Sequence, residues 1–134
     1  MANNFLIGYP QPQGAKIRVV FDHYGPASYS NIGTSSGTGD VVNASDLSQG
    51  GFDSVGIAFG AFTEAYTQSG NYLVKMFTAT SGTTPSVSFP PGTAFPKFIL
   101  QWFTTGSAFG AISTEVTNAT NLSAEFLRFD ATCV

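Results

Sequence analysis

The run Lys97-Phe98-Ile99-Leu100-Gln101-Trp102-Phe103-Thr104 holds the one Trp of the sequence and its densest apolar stretch. Closed by Pro96 at one end and Gly106 at the other, it is too short for a typical helix. Its aromatic and β-branched side chains suit a core strand. Successive side chains of a strand alternate between faces, so Phe98, Leu100 and Trp102 share one face while Ile99 and Phe103 take the other. Both faces are apolar and both need a cover. A second sheet suits one, and a neighbouring subunit is a candidate for the other.

At 134 residues the chain is one domain, long enough to bury roughly 65–70% of the surface its unfolded form exposes. With one Cys and one His, it can form neither an internal disulfide nor a Cys/His metal cluster, so stability must come from the core, in keeping with a reducing compartment. No metal and no cofactor is expected. Charged residues make up 10% of the chain, against roughly 25% in an average soluble domain. A net charge of −3 with five scattered Lys and Arg provides no basic stripe to displace counterions from phosphates, which argues against nucleic acid. Weak repulsion between copies favours assembly. The start, Met1 to Gly8, lacks the basic and long apolar regions of a signal peptide. No apolar run approaches the roughly 18 residues of a membrane span, so no membrane partner is expected. The Asn-x-Ser/Thr triplets at Asn43, Asn118 and Asn121 then read as chance in a chain rich in those residues.

Outward from the central run, the remaining segments read mostly as strands and turns. Lys16 to Asp22 alternates, with Ile17, Val19 and Phe21 inward. Ala27 to Ile32 is read as a further short strand, and Gly33 to Gly39 as a loop. Asn43 to Ser48 can hold one helical turn capped by Asn43 or Ser45. Phe52 to Phe59 and Gly70 to Thr78 alternate as strands, the second with Tyr72, Val74 and Met76 together. Ser81 to Pro85 is a turn, Ser86 to Phe89 a short strand stopped by Pro90-Pro91-Gly92. Gly106 to Gly110 turns back, and Ile112 to Val116 pairs. Ala124 to Val134 sets Leu127, Phe129, Ala131 and Cys133 on one face. Strands every ten residues or so, split by Gly/Ser/Thr turns, call for an all-β fold. An antiparallel β-sandwich, Ig-like or jelly-roll-like, is expected. Two pairs of stretches look alike, 43–48 with 118–123 and 58–62 with 108–112, but in reversed order, which excludes a tandem duplication.

Residues 1–15 read as an extended N-terminal arm, and residues 16–134 as the single sandwich domain. Tyr9-Pro10-Gln11-Pro12 alternates Pro with other residues, which favours an extended chain and opposes easy entry into the core sheet. A disordered tail gains nothing from apolar side chains, so Phe5, Ile7, Tyr9 and Pro10 are the candidate partner contacts.

Catalytic chemistry finds few materials. Any triad must run through His23, and Asp22, next to it on a strand, points the other way. Asp40, Asp46, Asp53 and Glu64 match no calcium loop, and Gly37-Thr38-Gly39 is no phosphate cradle. They read as solvated loop charges. No catalytic residue is assigned and no enzymatic activity is expected.

Phe5 to Pro12 as an arm, with Gly51 to Phe59 and Ala124 to Val134 as sandwich strands, resembles the head decoration or cement proteins of tailed bacteriophages. The resemblance is one of architecture over the whole chain and carries over no functional residue. It implies a protein of the capsid surface, made in the host cytoplasm, that binds the major capsid protein lattice and stabilises it without catalysis. It also implies self-association, a homotrimer being favoured. The alternatives are a phage tail or fibre component and a carbohydrate-binding β-sandwich module. Sugar sites present Tyr or Trp rings, whereas here thirteen Phe stand against five Tyr and one Trp. Most of these rings are therefore expected in the core or at protein interfaces.

Overall fold

A computed structural model describes residues 4–14, 16–33, 37–47, 57–62, 67, 69–79, 97–105 and 114–133. Nine strands lie among them: β1 (Asn4–Leu6), β2 (Gln11–Gln13), β3 (Lys16–Tyr24), β4 (Asp40–Asn43), β5 (Ile57–Phe62), β6 (Tyr72–Ala79), β7 (Lys97–Thr104), β8 (Thr114–Glu115) and β9 (Phe126–Cys133). They form two antiparallel sheets packed face to face, the all-β sandwich that strand periodicity called for. The first runs β1-β3-β9-β5, with β2 following β1 along β3. The second runs β4-β7-β6, with β8 following β4 along β7.

The run that opened the reading is β7. Phe98, Leu100 and Trp102 face the other sheet and are fully buried. Phe129 of β9 stacks on Phe98 at 4.8 Å and on Phe21 of β3 at 5.1 Å, so three rings tie the two sheets together. Tyr72, Val74 and Met76 of β6 pack against the same core. Ile99, on the opposite face of β7, is also fully buried. Its cover comes from within the chain, not from a neighbouring subunit: at Gly39 (φ +67°) a Cβ would stand 2.8 Å from both Ile99 Cγ2 and Ile32 Cδ1. Only glycine lets the backbone come that close.

In β9, Leu127, Phe129, Ala131 and Cys133 are inward and buried, as their spacing predicts. This strand sits between β3 and β5. The helical turn is a short 3-10 helix, Ala44–Leu47. Asn43 caps it with roles reversed: its backbone N–H donates to the Asp46 carboxylate at 3.1 Å, the return half of a capping box. The look-alike stretch at 118–123 instead turns at Ala119, with φ 68°, so the likeness is one of letters alone.

Two expectations need correction. Ala27 to Ile32 is not a strand. The segment crosses 116–122 through isolated backbone bonds, such as Tyr29 N–H to the Thr120 carbonyl and Ala119 N–H to the Tyr29 carbonyl. Gly25 allows this approach, since a Cβ there would lie 2.6 Å from Leu122. The N-terminal segment, expected to resist joining the core sheet, does join it: within residues 4–14 β1 and β2 lie along the domain's own β3. The register sets Pro12 opposite Ile17, one step from the turn pair Gln13 and Lys16. Antiparallel alternation aims the nitrogen of Pro12 away from β3, so the missing N–H costs the ladder nothing. The expected turns at 81–85 and 106–110, the strand at 86–89, its stop at 90–92 and the start of the strand at 52–56 lie outside the described residues.

Candidate functional site

His23 stands on the inward face of β3, where alternation from Val19 and Phe21 puts it. It is 1% exposed. Asn4 of β1 is its register partner, and the Asn4 side-chain oxygen lies 2.7 Å from His23 Nδ1. On the other side of the ring, Nε2 lies 2.6 Å from Asp40 Oδ2, across the sandwich on β4. The same oxygen accepts the indole N–H of Trp102 at 3.0 Å. One imidazole thus joins the N-terminal strand, the first sheet and the second sheet. Asp22 points outward as expected, so the carboxylate that reaches His23 comes from elsewhere in the chain.

Asp40, expected as a solvated loop charge, is buried. β4 begins at this residue and alternates Asp40 and Val42 inward, which sets the carboxylate beside two donors. A carboxylate and an imidazole in contact are the relay half of a nucleophile-activating triad. Here both ring nitrogens are already bonded and the ring is enclosed, so neither is aimed at a substrate. What the arrangement does is satisfy polar groups within an apolar core. Among the described residues no buried side-chain nitrogen or oxygen lacks a hydrogen-bond partner.

A second network adjoins the first through Trp102. The backbone N–H of Trp102 donates to the Tyr29 hydroxyl at 3.1 Å, and that hydroxyl donates to Glu115 Oε2 at 3.1 Å. Burial pushes the Tyr29 hydroxyl well above the usual tyrosine range; the Trp102 amide opposes this, and the Glu115 carboxylate adds to it. Glu115 also accepts the backbone N–H of Ile32 at 2.6 Å, that of Gly33 at 2.9 Å and the Gln101 amide at 2.8 Å. Burial alone would raise its carboxyl, but these donors, led by Gln101, hold it below the usual carboxylate range.

The outward face of the first sheet has another character. Of the expected partner contacts, Phe5 is 54% exposed and Tyr9 87% exposed. Ile7 and Pro10 are half-buried, and the Ile7 N–H donates to the Val20 carbonyl at 2.7 Å. The Phe5 ring meets Tyr24 edge-on at 5.5 Å, and Tyr24 lies 5.2 Å from Phe126. An aromatic row therefore crosses β1, β3 and β9. Next to it Arg128 of β9 pairs with Asp22 of β3 at 3.1 Å. Farther along, Arg18 of β3 pairs with Asp130 of β9 at 2.6 Å. Sequence reading missed both pairs because their partners are more than a hundred residues apart.

Among the described residues no group of three or more His, Cys, Asp or Glu could hold a metal ion. No helix there is long and apolar enough to cross a membrane, which says nothing of crossing by strands. No family model matches the chain, and neither does any curated protein or solved structure.

Proposed function

We propose that this chain is a structural subunit of a virus particle, of the head decoration kind, which binds the major capsid protein lattice and stabilises it. The observation that carries this reading is where apolar surface is left uncovered. Among the described residues the two large hydrophobic side chains that stay exposed, Phe5 and Tyr9, both belong to the N-terminal segment. Exposed rings cost solubility unless something covers them; Phe5 stands on β1, which β3 already holds extended, and Tyr9 on the short link between β1 and β2, both of which pair with β3. A partner that docks there meets an ordered ridge, so little of the roughly 1–2 kcal/mol per residue of backbone ordering falls on binding.

The test is attachment. In purified particles of the virus that encodes the chain, mass spectrometry should find it in fixed ratio to the major capsid protein. A Phe5→Ser/Tyr9→Ser variant should melt as the parent does, yet be lost from particles on washing, by about tenfold or more for two anchor rings. Absence from particles overturns the reading, as does a variant that attaches as well as the parent. Recovery with tails alone would move the chain to the tail or fibre.

A further inference from the structure

We infer that Glu115 is an acid-operated latch on the crossing segment: on taking up a proton it lets go of Ile32 and Gly33 while the rest of the sandwich stays folded. The ground is the set of donors around one carboxylate. Oε2 accepts the Ile32 N–H at 2.6 Å and the Tyr29 hydroxyl at 3.1 Å. Oε1 accepts the Gly33 N–H at 2.9 Å and the Gln101 amide at 2.8 Å. Four donors thus converge, two on each oxygen. A protonated carboxyl has a hydrogen of its own to donate, and the oxygen that carries it is a weaker acceptor than a carboxylate oxygen. On Oε2 the hydrogen can reach the Tyr29 oxygen, which already accepts the Trp102 N–H at 3.1 Å, and Ile32 loses its acceptor. On Oε1 it can reach Gln101, if that amide turns its oxygen inward, and Gly33 loses its acceptor. Wherever the proton sits, one of the two backbone amides is released.

Neighbouring residues hang on other bonds. Asn31 donates its backbone N–H to Asn118 Oδ1 at 3.2 Å and its side-chain amide to the Val116 carbonyl at 2.8 Å. The N–H groups of Gly37 and Gly39 donate to the carbonyls of Asn31 and Ser30 at 2.7 and 2.9 Å. Release therefore stops at Asn31. What leaves with Ile32 is part of the cover of Ile99, since Ile32 Cδ1 and Ile99 Cγ2 flank the same point beside Gly39. The crossing segment turns Tyr29 toward Glu115, a hydroxyl that keeps its proton and that feels Asp40 of β4. From β7 comes the uncharged Gln101, and Lys75 of β6 stands opposite Gln101 in register. Burial works to raise the Glu115 carboxyl, while the donors, led by Gln101, hold it below the ordinary glutamate range. The latch is therefore closed above that range and opens as pH falls through the folded value.

The latch belongs to the isolated protein and does not rest on the virion reading, which is decided on particles. In amide NMR spectra of the parent over an acid titration, the Ile32, Gly33 and Gln101 side-chain signals should move together. Their common midpoint should lie below the ordinary glutamate range, while the amides of Phe21 and Phe129 keep their folded positions. Glu115→Gln presents an acceptor on one side and a donor on the other, so it should hold the latch partly open at every pH. In that variant these signals should not titrate. At neutral pH, hydrogen-exchange protection at Ile32 or Gly33 should fall at least about tenfold below the parent's, because a bond to a charged acceptor is lost. If the variant does not fold, the parent titration decides alone. Signals that stay in place, that move only when Phe21 and Phe129 move with them, or that titrate equally in Glu115→Gln overturn the inference, as does unchanged protection in the variant.

Discussion

Asp40 receives a donor from each of two strands, the His23 ring of β3 and the indole of Trp102 of β7. Removing one partner from such a buried charged contact leaves the others unpaired, at a cost of about 3–5 kcal/mol. Asp40→Ala should lose that much in urea melts. Asp22→Ala, which breaks the half-exposed pair with Arg128, should lose under about 1 kcal/mol. Equal losses would mean the buried link contributes no more than a surface pair. Glu115 differs, because its contribution depends on pH. Its folded carboxyl titrates below the ordinary glutamate range, so on acidification the unfolded chain takes up the proton first. The stabilisation is complete above that range and is lost as pH falls through the folded value. The stability gap between the parent and Glu115→Gln should therefore narrow from neutral to acid pH; a gap constant with pH would sever it from the ionised carboxylate. At this scale the sequence held one unused signal. A core Trp needs an acceptor for its N–H, and Asp40, at the head of an alternating Asp40-Val41-Val42, was in position to supply it.

The N-terminal strands are where element-level reasoning from sequence succeeded in part. The extended form of β2 follows from Pro10 and Pro12, but the place of these strands on β3 does not, because alternation reports which face a residue takes and not which strand lies beside it. For the same reason the inward faces of β3, β7 and β9 were legible from spacing, while the pairing of β3 with β9 was not. Over Ala27 to Ile32 the alternation of buried Tyr29 and Asn31 with their neighbours imitates a strand, because a loop that crosses a core can also alternate. The N-terminal placement changes what truncation should do. Deleting residues 2–13 removes the Asn4 oxygen from His23 Nδ1 and the partly buried Leu6 from the core. A buried ring nitrogen left without its partner costs about 1–3 kcal/mol, and the burial lost with Leu6 is worth up to about 1.5–3 kcal/mol. Calorimetry should show a clearly lower Tm for the truncated chain. An unchanged Tm would return the segment to the role of a dispensable tail.

For the molecule as a whole, function was the least legible property, and the physics explains why. The sole imidazole is bonded on both sides within the core, and the side chains with most to say about partners, Phe5 and Tyr9, lie exposed on the surface. Surface chemistry of that kind becomes readable only once strands are in register. The pairing of β3 with β9 bears on one more matter, the order of events in time. Arg18 and its partner Asp130 are 112 residues apart, and β9 is the strand that completes the first sheet on both sides, toward β3 and toward β5. A ribosome adding about 5–20 residues per second releases β3 on the order of ten seconds before its neighbour exists. Throughout that interval the edge of β3 that β9 will take is unpaired, so the nascent chain carries an open strand edge that a chaperone must shield or another chain can capture.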